Sequence, residues 1–432
     1  MHDLTRPAPS RAHPFTDPLV ILLLLVAALL TLTQLHQKTL TPAAITQAGP
    51  EARLFELRWA LGELIGKMPE LPAKAGKNQW NSAVEAVLLS ERGLLKEARE
   101  RLSHAPEGAF RACWEAAYNS GAMPEERDVT IAMKGLGNGL ASKYLEASLA
   151  AGENKGPEKI RADALRSYKL MALAFFSAMT ILLPGAIAGI YLCVRIFIKP
   201  GPVKAPPQFQ MSDILAMRVC LGWYVLFLAS ATIAGLLNSA IPLGVFALPV
   251  AYLSHAISGI AFICVAEDIS PSALWKKLSV KTKTRLWFFQ GLKYLLVALG
   301  AVLIFTLFLS LFMPEDDPSQ NELINFIRNN SGVVPFVVIF CMVALIGPIF
   351  EEIFFRGYLL SVLRRRLPAW WALAISSVLF GAIHFQIQTF PLLAVLGFVL
   401  GLALLRTGNI KVAVFVHGCW NGGVFLLQKL LM

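Results

Sequence analysis

Three charged side chains lie within a long apolar stretch, in the segment GPIFEEIFFRGYLL at positions 347–360. Each charge near the centre of a bilayer costs about 2.5 to 3.5 kcal/mol on insertion scales, so Glu351, Glu352 and Arg356 need a chemical reason. In a helix, residues four apart share a face, and Arg356 can therefore neutralise Glu352. Glu351 points about 100° away and lacks that partner. Such a carboxylate can act as a general base where water reaches it, unless both glutamates simply extend into water at the membrane boundary.

Two later segments also place polar groups on apolar stretches. In SVLFGAIHFQIQ, His384 follows Phe380 by four residues, and in VAVFVHGCWNGGVF, Asn421 follows His417 by four. A single histidine on an apolar helix is usually a hydrogen-bonded core residue, and we interpret His255 in AYLSHAISG in that way. Three consecutive apolar regions with polar groups instead predict that these groups converge on one point inside the membrane.

The segments EEIFFR, FGAIH and HGCWN resemble, in this order, the EExxxR, FxxxH and HxxxN motifs of the CPBP family. This family comprises CAAX proteases and bacteriocin-processing enzymes, also called Abi proteins, and includes the CAAX prenyl endopeptidase. The resemblance covers roughly residues 215–432 and is tightest over 345–425. It implies a glutamate-dependent intramembrane endopeptidase in which a cavity of the helix bundle shelters a water molecule.

The resemblance also implies a role for each matching residue. Glu351 corresponds to the glutamate that activates the water, and His384 to the histidine that helps to hold the water and relays its proton. His417 and Asn421 correspond to the pair that stabilises the oxyanion of the tetrahedral intermediate. The two positions that support the site are Glu352 and Arg356.

Two alternative functions remain open. In a zinc-dependent intramembrane protease, Glu351, His384 and His417 would be the metal ligands. In a non-enzymatic protein, such as a transporter or an immunity protein, the buried charges would relay protons or bind a partner. We favour the mechanism without a cofactor, because Asn421 lies one turn from His417, and an amide is a poor zinc ligand but a good hydrogen-bond donor. The HExxH, GxGD and GxSG motifs of other intramembrane proteases do not occur in the sequence.

The whole chain has the composition of a polytopic membrane protein. It contains 432 residues, of which 56% are hydrophobic and 16% charged, with a mean hydropathy of +0.59. Runs long enough to cross a hydrocarbon core of roughly 30 Å predict eight or nine membrane spans. They lie at about 18–35, 169–196, 214–236, 240–266, 288–313 and 333–356, and in the last 60 residues. The predicted fold is all-α, a transmembrane helix bundle with a soluble helical domain inserted after the first span.

The soluble domain is predicted at residues 36–168, where acidic and basic residues are nearly balanced and no run is long enough to cross. Within it, NSAVEAVLLSERGLLKEARERL (81–102) has apolar residues at helical spacing on either side of a glycine, which predicts short helical hairpins. A tetratricopeptide array is the alternative, but we find no clear period near 34 residues. The predicted domains are a cytoplasmic tail at 1–17, an anchor at 18–35, an extracytoplasmic domain at 36–168, and a transmembrane bundle at 169–432 with the protease core at about 215–432.

Lysine and arginine in short loops predict the orientation, because such loops are retained in the cytoplasm. Basic residues precede the first span and follow the second, fourth and sixth, whereas the loop MPEDDPSQNELINFIRNN after the fifth is acidic. The N-terminus is therefore expected in the cytoplasm and residues 36–168 outside it, whether the first span is an uncleaved anchor, as we favour, or a signal peptide. The basic residues are Arg6, Arg11, Lys199, Lys204, Lys276, Lys277, Lys281, Lys283, Arg285, Arg364, Arg365 and Arg366.

The net charge of +11 comes mostly from these loops, which indicates contact with anionic lipid rather than nucleic acid. The six cysteines include no CxxC pair, so neither a disulfide framework nor a zinc ribbon is predicted. The expected partners are a membrane-associated protein or peptide substrate, the lipid bilayer, and a protein partner for the soluble domain.

Overall fold

The computed structural model describes residues 17–40, 48, 50–66, 78–119, 122–137, 139–150, 157–199, 201–204, 207–241, 243–279, 284–309, 332–386 and 389–430. Over these ranges the regular structure is helical, apart from one isolated antiparallel bridge between Ser279 and Asn409. The predicted all-α fold is therefore confirmed. Arg6, Arg11, Lys281, Lys283 and the acidic loop after the fifth span lie outside the described residues.

The helices, numbered in chain order, are α1 (Pro18–Leu40), α2 (Pro50–Ile65), α3 (Gln79–Glu91), α4 (Leu95–Leu102), α5 (Ala109–Tyr118), α6 (Glu126–Leu136), α7 (Leu140–Ala150), α8 (Pro157–Ile198), α9 (Asp213–Ala240), α10 (Ala247–Glu267), α11 (Pro271–Leu278), α12 (Thr284–Leu309), α13 (Val333–Leu363), α14 (Ala369–Ala382), α15 (Phe390–Thr407) and α16 (Ile410–Leu430). A single 3-10 turn, Gly244–Phe246, precedes α10.

Seven of the described helices are long and apolar enough to cross a membrane: α8, α9, α10, α12, α13, α15 and α16. Two shorter apolar helices, the part of α1 at Pro18–Leu32 and α14, bring the number of apolar helices to that predicted from the sequence. At 1.5 Å per residue, a helix of the length of α14 covers about 21 Å, which is less than the hydrocarbon thickness. After α13, the described chain thus contains the short helix α14 followed by the two longer helices α15 and α16.

The described residues divide into two compact units. The first contains α1 and the described residues from 184 to 425, and the second contains those from 48 to 183 and from 426 to 430. The predicted domain boundary at residue 168 lies inside α8, which is continuous from Pro157 to Ile198.

The second unit is built from short amphipathic helices around one apolar core. As the glycine in residues 81–102 predicts, α3 ends before Gly93, which has a φ of 74°, and α4 begins two residues later. Its interior also holds a charged pair, because Arg53 and Glu56 are 4% and 0% exposed and 2.6 Å apart. Glu56 accepts a further hydrogen bond from the backbone N–H of Ala141 at 2.8 Å. These bonds compensate the burial of the two charges.

The first unit is packed around α13. Its side chains Phe354, Phe355 and Tyr358 are at most 2% exposed, and the ring centroids of Phe354 and of Trp223 on α9 are 3.9 Å apart. Two stretches of α13, Met342–Ile346 and Glu352–Leu359, have π-helical hydrogen bonding. A π-helical turn inserts one residue into the helix and turns the following side chains, and such turns are frequent at functional sites.

Several basic loops meet at one end of this unit. The backbone N–H of Lys204 donates to the carbonyl of Leu405 at 2.7 Å, and Arg365 pairs with Asp213 at 2.8 Å. The bridge between Ser279 and Asn409 joins the end of α11 to the turn between α15 and α16. The ends of α8, α11, α13 and α15 therefore lie together.

Candidate active site

The charged stretch of α13 is inside the protein, not at a water boundary. Glu352 and Arg356 are 0% and 1% exposed, and Arg356 Nη1 donates to Glu352 Oε1 at 3.0 Å. The guanidinium also lies over the ring of Phe380 on α14, 4.1 Å from its centroid. The four-residue spacing thus produces the predicted neutralising pair, although this part of the helix is π-helical.

His417 on α16 joins this pair. Its Nδ1 lies 2.8 Å from Glu352 Oε1, and its Nε2 lies 3.7 Å from Glu351 Oε2. The close approach of the two helices depends on Gly418, since a Cβ added there would be 2.6 Å from the carbonyl oxygen of Ala344. His417 therefore lies between the two adjacent glutamates of α13.

The contact with Glu352 decides the tautomer of His417. Because an ionised carboxylate only accepts hydrogen bonds, the ring nitrogen facing it must carry a proton. In the neutral ring Nε2 is then an acceptor, and it can donate only when the imidazole is doubly protonated. A carboxylate that orients a histidine through its other ring nitrogen is a common support in catalytic sites.

Glu351 differs from Glu352 in both exposure and partners. Its side chain is 15% exposed, compared with 0% for Glu352, so water has more access to Glu351. Tyr252 on α10 donates its hydroxyl to Glu351 Oε1 at 3.0 Å, with the carbonyl of Gly347 at 3.2 Å from the same hydroxyl. Glu351 Oε2 is itself buried and has no hydrogen-bond partner among the described residues. One oxygen is thus held in place, and the other is buried with no described group bonded to it, so it keeps its capacity to accept a hydrogen bond or a proton.

His384 lies just beyond the end of α14. Its Nδ1 is 2.9 Å from the carbonyl oxygen of Phe380, to which it donates, so Nε2 can accept a hydrogen bond. The ring of Phe380 makes edge contacts with both His384 and His417, at centroid distances of 5.2 and 5.5 Å. The next residue, Phe385, has a φ of 51° and turns the chain away from the helix. Phe380 therefore separates and orients the two histidines.

Asn421 contacts α13 one turn away from His417. Its amide Nδ2 donates to the carbonyl oxygen of Val343 at 3.2 Å, within the first π-helical stretch. Since an amide nitrogen carries two hydrogens, one remains for another acceptor. The structure thus brings Glu351, Glu352, Arg356 and His417 into direct contact, and holds Asn421 and His384 through bonds to backbone carbonyls.

Tyr252 is the member of this cluster that the sequence does not single out. It lies in an apolar helix with no charged neighbour, three residues before His255. The sequence signals it only indirectly, as a polar-tipped ring in a membrane span. His255 itself is 4% exposed, and its Nδ1 lies 3.2 Å from Ser230 Oγ and 3.1 Å from the carbonyl of Ala251. These contacts agree with its interpretation as a core histidine.

The arrangement combines a partly accessible carboxylate with donors on separate helices. Peptide hydrolysis needs a base for water, donors for the developing oxyanion and an acid for the leaving amine. Across the part of the chain that the structure describes, no three His, Cys, Asp or Glu side chains are grouped to hold a metal ion. The carboxylate and the donors around it are suited to proton transfer and hydrogen bonding.

Comparison with known proteins yields a family match and a curated relative. Residues 333–423 match the family described as type II CAAX prenyl endopeptidase Rce1-like. A protein of Bacillus subtilis (strain 168), described as "Putative membrane peptidase YdiL", is 34% identical over 95 residues, which are 22% of this chain and 38% of that protein. The chain thus spans well under half the length of this curated relative. No solved structure matches the chain.

Proposed function

We propose that this chain, whose residues 333–423 belong to the CPBP family of membrane proteases, is an intramembrane endopeptidase that cleaves a membrane-associated protein. The observation that carries the proposal is the contrast between the two adjacent glutamates. Glu352 is fully buried and bonded to Arg356 and His417, while Glu351 is held by Tyr252 and remains partly accessible. Glu352 alone is enough to neutralise Arg356, so the costly burial of a second carboxylate, Glu351, indicates a chemical role for it.

In this mechanism Glu351 removes a proton from a water molecule, and the water oxygen attacks the carbonyl carbon of the substrate. The carbonyl electrons move to its oxygen, and the free amide hydrogen of Asn421 donates to this oxyanion. His417 adds a second donor when both of its ring nitrogens carry protons. As the C–N bond breaks, the proton taken from water passes to the leaving amine, with Nε2 of His384 as the relay.

This function is tested directly by identifying the new protein N-termini that cleavage creates in cells. Cells with the wild-type protein should contain new N-termini of membrane-associated proteins that are missing in cells lacking it. The Glu351→Gln protein, produced at the same level, should not restore them. A farnesylated CAAX peptide is a useful additional probe, since it tests the substrate class in the matched family's description. Identical sets of N-termini in wild-type and Glu351→Gln cells would contradict the proposal.

A chelator distinguishes the glutamate mechanism from the zinc alternative. We expect the purified protein to contain no stoichiometric zinc and to keep its activity during prolonged treatment with a strong chelator. The reason is that Asn421, one turn from His417, is a poor zinc ligand but a good hydrogen-bond donor for an oxyanion. Metal analysis and cleavage assays before and after chelation check this. Loss of activity that added zinc restores would make Glu351, His384 and His417 metal ligands.

The orientation is part of the same proposal, with the N-terminus in the cytoplasm and residues 36–168 outside. Glu107, whose side chain is 84% exposed, replaced by cysteine should react with an impermeant maleimide on intact cells, whereas cysteine at exposed Lys276 should react only after permeabilisation. Native Cys113 is 0% exposed, and burial raises the pKa of its thiol to about 11. Because the thiolate is the reactive form, Cys113 should contribute little signal at neutral pH, and a Cys113→Ala background checks this. The opposite labelling pattern would reverse the orientation.

A further inference from the structure

A cavity with several cationic side chains lies apart from the candidate active site, at the end of the first unit where the basic loops meet. It has a volume of about 470 Å³ and is lined by α8, α12, α15 and the segment that follows α8. Four cationic side chains line it, and none of its described lining residues is acidic. They are Arg195, Lys199, Lys293 and Arg406.

Arg406 is the residue that makes this cavity unusual. Its Nε, Nη1 and Nη2 atoms are all buried, and none has a hydrogen-bond partner among the described residues. The guanidinium carbon lies 5.9 Å from the ring centroid of Trp370, a distant contact that satisfies no N–H group. A guanidinium has five N–H donors, and leaving them unpaired away from water is costly. An anion in the cavity removes that cost.

The neighbouring cationic side chains neither accept hydrogen bonds from the Arg406 guanidinium nor compensate its charge. Lys204, which reaches the same end of the bundle, already donates to the carbonyl oxygen of Thr407 at 2.7 Å. Arg195, Lys199 and Lys293 are exposed and have the same sign of charge as Arg406, so they raise the potential at the cavity. A group of positively charged side chains around a buried guanidinium is suited to binding a compact oxyanion that has several hydrogen-bond acceptor atoms.

We propose that this cavity binds a phosphate group, held by Arg406 at its inner end and by Arg195, Lys199 and Lys293 at its mouth. Phosphate oxygens accept the paired N–H groups of a guanidinium in a fixed geometry, which lysine alone does not offer. The group can belong to an anionic phospholipid headgroup or to a free phosphate ion. The position at one end of a membrane helix bundle matches the depth of a headgroup, and basic pockets between membrane helices bind such lipids.

The test uses the purified full-length protein in detergent, with phosphatidylglycerol or phosphatidylcholine added. Phosphatidylglycerol should raise the melting temperature of the wild type, whereas phosphatidylcholine, which has the same phosphate but no net charge, should raise it less. Arg406→Gln should weaken the apparent affinity for phosphatidylglycerol by about tenfold or more, because it removes a charge-assisted bidentate contact. Without anionic lipid this variant should be at least as stable as the wild type, since an unpaired buried charge is lost.

Matched variants distinguish binding in the cavity from nonspecific attraction of the lipid to positive surface charge. Lys276 is exposed, lies at the same end of the unit and does not line the cavity, so Lys276→Gln should keep the full response to phosphatidylglycerol. Arg195→Gln and Lys293→Gln alter exposed residues of the cavity mouth and should each weaken the response. These two variants keep the test valid even if Arg406→Gln fails to fold.

Inorganic phosphate identifies the source of the group. If it stabilises the wild type but not Arg406→Gln, compared with chloride at equal ionic strength, the site takes free phosphate. If only phosphatidylglycerol does so, the ligand is a lipid headgroup. The proposal is overturned if neither compound distinguishes the wild type from the three cavity variants, or if Lys276→Gln reduces the response as much as they do.

Discussion

Glu351→Gln should lower the rate of peptide cleavage by about 10²- to 10⁴-fold while the melting temperature stays close to that of the wild type. The amide keeps the size of the carboxylate and can still accept the hydrogen bond from Tyr252, which lies 3.0 Å away. It cannot take a proton from water. Turnover by the purified protein, with a substrate found from the new N-termini, and thermal unfolding of the same sample measure the two effects.

Two variants extend this result. His384→Ala should also abolish cleavage without unfolding the protein, because it removes the proposed proton relay at the end of α14. Tyr252→Phe should have a smaller effect, on the order of tenfold, because it removes one hydrogen bond to Glu351 and leaves the carboxylate in place. Near-normal turnover in Glu351→Gln would sink the assignment of the base. Equal losses in Tyr252→Phe and Glu351→Gln would mean that the tyrosine does more than position the carboxylate.

Glu352→Gln should lose stability as well as activity, by about 3 to 5 kcal/mol, because it leaves Arg356 as an uncompensated buried charge. Arg356 is 1% exposed and pairs with Glu352 at 3.0 Å, so no water can replace the lost carboxylate. His417 would also lose the partner that lies 2.8 Å from its Nδ1. Thermal or denaturant unfolding in a single detergent, with circular dichroism as the readout, measures the change.

A double variant shows whether charge is the cause. Glu352→Gln combined with Arg356→Met removes both members of the pair, so it should be less destabilised than Glu352→Gln alone, as for other buried ion pairs replaced by neutral residues. It should remain inactive if the orientation of His417 depends on Glu352. Wild-type stability in Glu352→Gln would refute the idea that this pair holds the site together.

The sequence predicted those features that depend on the local geometry of a helix. Four-residue spacing correctly predicts the pair of Glu352 with Arg356, and it correctly places Phe380 on the same face as His384, whose Nδ1 bonds to the Phe380 carbonyl. The all-α membrane fold likewise follows from apolar runs of sufficient length, because the backbone of a spanning segment must satisfy its own hydrogen bonds. The catalytic roles inferred from the motifs remain predictions.

Contacts between helices depend on packing between residues far apart in the chain, and only the tertiary structure decided them. Its π-helical turns and the approach at Gly418 put His417 between Glu351 and Glu352, 65 residues away from the latter. The position of Tyr252 beside Glu351 has the same origin, since its own segment signals it only as a polar-tipped ring in an apolar helix. The unpaired guanidinium of Arg406 also appears only when α8, α12 and α15 surround it. Periodicity indicates which residues share a face of one helix, but the identity of the facing helix is set by packing of the whole bundle.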